Sequence, residues 1–235
     1  MAYSSILDTI GNTPLVELRG FQPSPDVRIF AKLEGQNPTG SVKDRIAKLM
    51  LEKAELAGEL SSNKTILEPS SGNTGVSLAM IANYKGYKVE VVMPDNVTSE
   101  RQSLIESFGA TITFSDGDKG TNGAIELAKQ MAENNPDKYV MLYQYGNQAN
   151  PEAHYLGTAQ EIIDELPSVD AFIAGLGTGG SLTGAGHRLK ENNKRFIAIT
   201  LDDNDLSIMM KEECLNRDCS VTQDDKGLSI VSLNS

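Results

Sequence analysis

TILEPSSGNTGVSLAMIANYKGYKVEVVMP, residues Thr65–Pro94, contains two short aliphatic runs separated by one longer apolar segment. Thr65–Glu68 and Lys88–Met93 read as strands, and Thr74–Tyr84 reads as a helix that starts in a turn of serine, glycine and asparagine. Two strands joined through a helix form a βαβ unit, so the strands are parallel and the helix packs on their face. The fold class that follows is α/β.

The same alternation continues on both sides. Strands are expected at Arg28–Leu33, Thr111–Phe114, Val140–Tyr143, Ala171–Ala174 and Phe196–Leu201, and helices at Asp44–Ala57, Ser99–Phe108, Gly123–Asn134, Glu152–Leu166 and Ser181–Asn192. Met93-Pro94-Asp95 reads as a strand exit, and Thr98 as an N-cap for the helix behind it. The first 40 residues and those after about 150 surround four central strand–helix units, which fits a discontinuous two-domain arrangement. After Leu201 the pattern changes to Asp202, Asp203, Asn204 and Asp205 and a charged, poorly periodic tail, with a short helix expected around Ser207–Cys214.

At 235 residues and 39% hydrophobic content the chain can bury a sizeable core. Its net charge of -11 argues against a nucleic-acid or anionic-membrane partner, both of which call for a basic face, and favours a small molecule. The opening residues Met1–Asp8 lack the basic and apolar blocks of a signal peptide, and no apolar run reaches the roughly 18 residues of a membrane span, so the cytoplasm is expected. Cys214 and Cys219 supply half of a tetrahedral zinc set, and two reduced thiols with no metal are expected.

Three turns carry the chemistry. The first, Gly35 to Lys43, brings a lysine to a helix start, where exposed N–H groups and the helix dipole disfavour a cation. Such a lysine meets an anion or loses its charge, and an uncharged lysine can be a nucleophile or form a Schiff base. Ser41 and Val42 separate it from Gly40, unlike a P-loop, and a solvated surface lysine stays open on this segment alone. The second turn, Glu68 to Gly75, sets hydroxyls and N–H groups at a positive helix end suited to a carboxylate or phosphate, and it equally suits a capped helix. The third, Gly175-Leu176-Gly177-Thr178-Gly179-Gly180-Ser181, lets backbone approach a phosphate. It also spells G-x-G-x-x-G with Asp202 and Asp203 where a ribose-binding acid would stand, which keeps a nicotinamide-dependent oxidoreductase open. Taken together, the turns offer a Schiff-base lysine, a phosphate cradle and donors for a ring oxygen and a carboxylate, the set a pyridoxal phosphate site needs.

These residues resemble the cysteine synthase and cystathionine β-synthase family of fold-type II pyridoxal phosphate enzymes from Ile6 to about Thr200. The motifs are Ile10-Gly11-Asn12-Thr13-Pro14-Leu15, Asn37-Pro38-Thr39-Gly40-Ser41-Val42-Lys43-Asp44-Arg45, Glu68 to Gly75, and Gly177 to Ser181. Tyr143 to Tyr155 is more similar to the B-type cysteine synthases, including members that prefer O-phosphoserine. The resemblance implies two three-layer parallel-sheet domains: a larger, discontinuous cofactor-binding domain of residues 1–43 and 145–235, and a smaller α/β domain of residues 44–144. It implies that Lys43 carries pyridoxal 5'-phosphate as a Schiff base and later removes the substrate α-proton. Asn73 would bond the cofactor ring oxygen, and Gly177, Thr178, Gly179, Gly180 and Ser181 would hold its phosphate. Ser70, Ser71, Gly72, Thr74 and Gln144 would meet the substrate carboxylate. The implied reaction is β-replacement, making L-cysteine from O-acetylserine or O-phosphoserine and a sulfur donor, in a cytoplasmic homodimer.

The chain departs from the pattern beyond Thr200. The family's serine partner of the pyridine nitrogen has no counterpart in a matching motif, and Leu201-Asp202-Asp203 replaces an expected acid and proline. A C-terminally shortened larger domain is the expectation, with impaired activity or a non-catalytic binding protein as alternatives. Asp44 reads as a first-turn acid, Arg45 as an ion-pair partner, and His154 and His187 as structural or exposed.

Overall fold

The computed structural model describes residues 2–201, 219–223 and 228–233. In chain order the elements are β1 (Leu15–Glu17), β2 (Phe30–Lys32), α1 (Lys43–Leu56), β3 (Thr65–Pro69), α2 (Asn73–Lys85), β4 (Lys88–Pro94), α3 (Ser99–Ser107), β5 (Thr111–Ser115), α4 (Gly120–Asn134) and β6 (Tyr139–Met141). There follow α5 (Ala149–Ala153), a π-turn (His154–Thr158), α6 (Ala159–Glu165), β7 (Ala171–Ile173), α7 (Gly180–Asn192), β8 (Ile197–Leu201), β9 (Cys219–Gln223) and β10 (Leu228–Leu233). The helix expected around Ser207–Cys214 and the acids Asp202 and Asp203 lie outside the described residues. Among the described residues no helix is long and apolar enough to cross a membrane.

Two compact units divide the chain: residues 1–14 with 33–149, and residues 15–32 with 150–235. The expected boundaries group all of 1–43 with the C-terminal part, whereas here only the β1–β2 segment goes with it. The reason is local, since residues 33–56 lead into α1, which packs on α2 of the central segment.

The first unit is built on a parallel sheet in the order β5-β4-β3-β6, with Thr65 in register with Lys88 and with Tyr139. Adjacent residues of β4 point to opposite faces. Val92 packs with Ala124 and Ala128 of α4, while Val91 lies under Gly75 of α2, so α2 and α4 cover opposite faces. A Cβ on Gly75 would stand 3.2 Å from Val91 and 3.3 Å from Ile105, which explains a glycine at this close helix–sheet contact. Every α2 residue from Thr74 to Ala82 is buried, because α1 covers the side of α2 turned from the sheet. Each fully buried aliphatic here, such as Ile46, Leu51, Ile66 or Leu78, contributes roughly 1.5–3 kcal/mol. Strand order runs one way from β3 through β4 to β5 and then returns to β6 on the far side of β3. The gap beyond the carboxyl ends of β3 and β6 is therefore the topological switch point, where α/β sheets bind ligands.

The second unit holds the antiparallel pair β1–β2 and a sheet in the order β7-β8-β10-β9. The parallel arrangement expected for this unit holds for β7–β8, but β10 runs antiparallel to both β8 and β9. Ala159 and Ile162 of α6 and Leu182, Ala185 and Leu189 of α7 form its core with Phe196 and Ala198. Helices cover that face alone among the described residues, and Ala171, Ile173 and Ile197 on the other face are exposed. Lys32 of β2 is tied to Glu161 of α6 by an ion pair of 2.8 Å.

Candidate active site

In the first unit the loop before α1 is fixed by its own side chains. Asn37 is buried; its Oδ1 accepts the Gly11 N–H at 2.9 Å, and its Nδ2 donates to the Glu34 carbonyl at 2.8 Å and to Glu34 Oε2 at 2.9 Å. The Gly40 N–H closes the turn onto the Asn37 carbonyl at 2.8 Å, and Gly40 has φ +78°, a left-handed value that favours glycine. Asp44, 0% exposed, accepts the Thr39 N–H at 2.8 Å, the Thr39 hydroxyl and the Ser77 hydroxyl at 2.6 Å. Arg45 grips Glu34 through Nε at 2.7 Å and Nη2 at 2.8 Å. Burial raises the Glu34 carboxyl, but hydrogen bonds and charge from Arg45, with help from Thr13 and Asn37, outweigh it and hold the group below the usual carboxylate range.

Lys43 is the first residue of α1, one position earlier than expected, and is half-buried. Burial lowers its amine below the ordinary lysine value. Among the described residues no acid pairs with its Nζ; the neighbouring carboxylates of Asp44 and Glu34 are committed to Thr39 and Ser77, and to Arg45, Thr13 and Asn37.

The second turn stands beside it. Asp44 bonds Ser77, one turn into α2 from Asn73, so the first turns of α1 and α2 are joined. Ser70 is buried, and its Oγ accepts the N–H groups of Gly72 and Gly75 at 3.3 and 3.2 Å, which realises the expected capping role. Thr74 donates to Gln144 Oε1 at 2.7 Å, while Asn73 is exposed and the Ser71 carbonyl accepts from Arg101 at 3.2 Å. The structure therefore brings Lys43, Ser70, Ser71, Gly72, Asn73, Thr74 and Gln144 to one end of this unit.

Glu68 is not singled out by the sequence, where it is only the charged end of a strand. It is 0% exposed and accepts the Tyr143 and Gln144 N–H groups at 2.7 and 3.0 Å, clamping the loops after β3 and β6 together. Tyr143 takes φ +55°, a left-handed conformation unusual for a non-glycine residue. Burial pushes the Glu68 carboxyl up to about 8, opposed by the two N–H bonds.

The third turn lies in the second unit. Gly179 has φ +78°, and α7 begins at Gly180, leaving the first N–H groups of the helix without helical acceptors. Gly177 has no left-handed φ, and among the described residues a Cβ added to it would meet nothing within 4 Å beyond its chain neighbours. A Cβ on Gly180 would collide with Asn150 Oδ1, so α5 backs this turn directly. Asn150 Nδ2 donates to Thr178 Oγ1 at 2.8 Å. His154, expected as structural or exposed, is 0% exposed and contacts Ser181 Oγ at 3.0 Å. His187 is exposed near Glu191.

Residues 6–218 match the family model described as pyridoxal-phosphate dependent enzyme. The chain is 45% identical over 202 residues to a cysteine synthase of a Flavobacterium species, covering 85% of this chain and 65% of that protein. It is 43% identical over 199 residues to a cysteine synthase of Staphylococcus aureus, covering 83% and 64%. The crystal structure of O-acetyl serine sulfhydrylase isoform 3 from Entamoeba histolytica superposes with a TM-score of 0.80 at 38% identity, covering 85% of this chain and 61% of that one. The matches thus span about 65% of the length of these curated relatives.

Proposed function

The chain belongs to the family of pyridoxal-phosphate-dependent enzymes, and on that premise we propose that it is a cysteine synthase. The reaction is β-replacement on O-acetylserine or O-phosphoserine: the β-carbon–oxygen bond breaks and a carbon–sulfur bond forms. One observation carries the reading. Lys43, half-buried and lacking an acidic partner among the described residues, begins the helix that Asp44 ties to the Ser70–Thr74 turn.

The residues fit the cofactor on grounds of their own chemistry. An amine held below the ordinary lysine value suits a carbonyl carbon. Gly177 has no left-handed φ and, among the described residues, room around its Cα, which leaves its main chain open to contact with a phosphate. Pyridoxal phosphate, when bound, supplies an electron sink for the α-carbon of an attached amino acid. Lys43 would hold it through Nζ, Asn73 would donate to its ring oxygen, and Gly177, Thr178, Gly179, Gly180 and Ser181 would take its phosphate.

The chain's own residues do the rest. Lys43 Nζ, once freed, takes the α-proton of the substrate; burial lowers its basicity, and proximity to the α-carbon raises its effectiveness. The N-terminus of α2 and the hydroxyls and amides of Ser70, Ser71, Gly72 and Thr74 bind the substrate carboxylate, with Gln144 held beside them by Thr74. Glu68 keeps the Gln144 backbone in place for this.

The relatives' names, cysteine synthase and O-acetyl serine sulfhydrylase, support this chemistry over nicotinamide-dependent oxidoreduction. A homodimer belongs to the same reading, and sedimentation equilibrium of the purified chain checks it. The function itself is tested by sulfide-dependent formation of cysteine from each of the two activated serines. Turnover with one or both supports it; a protein that binds pyridoxal phosphate but forms no cysteine is instead the non-catalytic binder.

A further inference from the structure

Tyr143, half-buried in the loop after β6, has φ +55°, and among the described residues only one other non-glycine residue, Asn12, has a positive φ. Asparagine tolerates the left-handed region through its short polar side chain, whereas a bulky tyrosine there is an outlier. Such a conformation persists where the surroundings impose it.

The hydrogen bonds show what is imposed. Along a strand successive N–H groups point to opposite sides, so an extended residue cannot aim its own N–H and the next one at the same group. Two successive N–H groups converge when the residue between them leaves the extended region, as in a backbone nest. Here the N–H groups of Tyr143 and Gln144 meet the two oxygens of one carboxylate, Glu68, at 2.7 and 3.0 Å. Leu142 still belongs to the ladder, its N–H on the Leu67 carbonyl at 3.3 Å, and the chain turns directly afterwards: the Gly146 and Asn147 N–H groups both bond the Tyr143 carbonyl, at 3.1 and 3.0 Å.

The Tyr143 ring holds this turn from outside. Lys129 Nζ of α4 lies 4.8 Å from the ring centre, and the Tyr145 ring centre lies 5.8 Å away. A Cβ on Gly146 would stand 3.0 Å from Cδ1 and Cε1 of the ring, so the glycine lets the ring lie against the main chain of its own turn. These contacts offset the cost of a left-handed tyrosine. What the turn delivers is Gln144, whose N–H is fixed by Glu68 and whose Oε1 accepts from Thr74 at 2.7 Å.

We infer that Tyr143 is a positioning residue for Gln144: its left-handed backbone lets two successive N–H groups share the Glu68 carboxylate and so carries the Gln144 side chain to Thr74 and the substrate carboxylate. The inference rests on the carboxylate role given to the Ser70–Thr74 turn and Gln144 under Proposed function. It adds a residue whose contribution lies in its main chain.

The test compares Tyr143→Val, Tyr143→Gly and Tyr143→Asn in the purified full chain. All three remove the ring, so differences among them read the backbone. Glycine and asparagine accept the left-handed region and valine resists it. The urea midpoints of the unliganded proteins should therefore place Tyr143→Val below the other two; at an ordinary position glycine, with the most freedom to lose, would be lowest. With pyridoxal phosphate present, the KM for O-acetylserine should rise about tenfold in Tyr143→Val and stay within threefold of wild type in Tyr143→Gly and Tyr143→Asn, while kcat changes less than threefold in all. In a Gln144→Ala background Tyr143→Val should add less than twofold, because the side chain it positions is gone. A Tyr143→Val protein as stable as Tyr143→Gly, equal KM values in the two, or additive losses in the double variant overturns the inference. If Tyr143→Val does not fold while Tyr143→Gly does, the stability order is met and Tyr143→Ala takes its place in the KM comparison. A wild-type chain that forms no cysteine overturns the functional reading instead, and the stability order then decides the backbone requirement, which stands apart from that reading.

Discussion

The buried carboxylate of Glu68 receives the backbone N–H of Gln144 at 3.0 Å, joining two loops separated by 76 residues of sequence. Its other oxygen takes the Tyr143 N–H at 2.7 Å. The two strand ends that flank the switch point are thereby locked together below the proposed carboxylate site, which gives Glu68 an effect on both stability and substrate affinity.

Glu68→Gln tests this clamp. Glutamine has one acceptor oxygen and an amino group, so one of the two N–H groups would face another donor, at a cost of about 1–3 kcal/mol. The pH dependence changes as well. The folded carboxyl titrates at about 8 against 4.5 ordinarily, so between those values the folded state binds more protons than the unfolded one. Stability from this group is fully present below about 4.5 and is lost as pH rises through about 8, with a slope of at most ~1.4 kcal/mol per pH unit. Urea unfolding from pH 5 to 8 should show that downward slope in the wild type and a flatter one in Glu68→Gln; equal slopes would contradict the assignment.

Asp44→Ala removes the acceptor of the Thr39 N–H and of the Thr39 and Ser77 hydroxyls. The two hydroxyls can rotate to other partners but the backbone N–H cannot, so a loss of about 2–3 kcal/mol is expected. Because this carboxylate links the first turns of α1 and α2, cysteine formation should fall more than tenfold even at temperatures where the variant remains folded. Circular dichroism beside the activity assay separates the two effects, and an active Asp44→Ala would deny that the link positions Lys43.

Gly177→Ala and Gly180→Ala separate a ligand contact from a packing contact. Among the described residues a Cβ at Gly177 meets no atom within 4 Å beyond its chain neighbours, so thermal unfolding of the unliganded variant should match the wild type while its pyridoxal phosphate affinity drops. A Cβ at Gly180 collides with Asn150, so that variant should lose roughly 1–3 kcal/mol of stability with or without ligand. A Gly177→Ala protein that binds pyridoxal phosphate normally would remove the phosphate from that turn.

Thr74→Val preserves shape but withdraws the donor to Gln144 Oε1, which is 2.7 Å away in a buried setting. The KM for O-acetylserine should rise several-fold, with a smaller change in kcat. A change confined to kcat would place this pair elsewhere than at the substrate carboxylate.

The layered plan is legible in the sequence because local pattern and global fold agree. Thr65–Pro94 alone shows a βαβ unit, and the ends of the expected strands around it fall within two residues of those observed. β1 escapes such a reading because three residues, Leu15–Glu17, carry too little alternation to register. β9 and β10 escape it because they are short runs in a charged, poorly periodic tail. At the site, Lys43 and the two glycine-rich turns announce themselves by residue type and spacing. Glu68, Asp44 and His154 do not, since their partners Gln144, Ser77 and Ser181 lie 76, 33 and 27 residues away in sequence. A charged strand residue or a lone histidine gains meaning only when the fold supplies its partner.

The central claim is that Lys43 Nζ is the atom that fixes pyridoxal phosphate. Adding pyridoxal phosphate to the purified chain, reducing with borohydride and mapping the modified peptide by mass spectrometry tests it most directly. The account predicts a visible absorbance that reduction removes, a stable pyridoxyl adduct on Lys43, and the absence of both in Lys43→Ala. A wild-type chain that stays colourless, or an adduct on another lysine with Lys43→Ala unaffected, would contradict it.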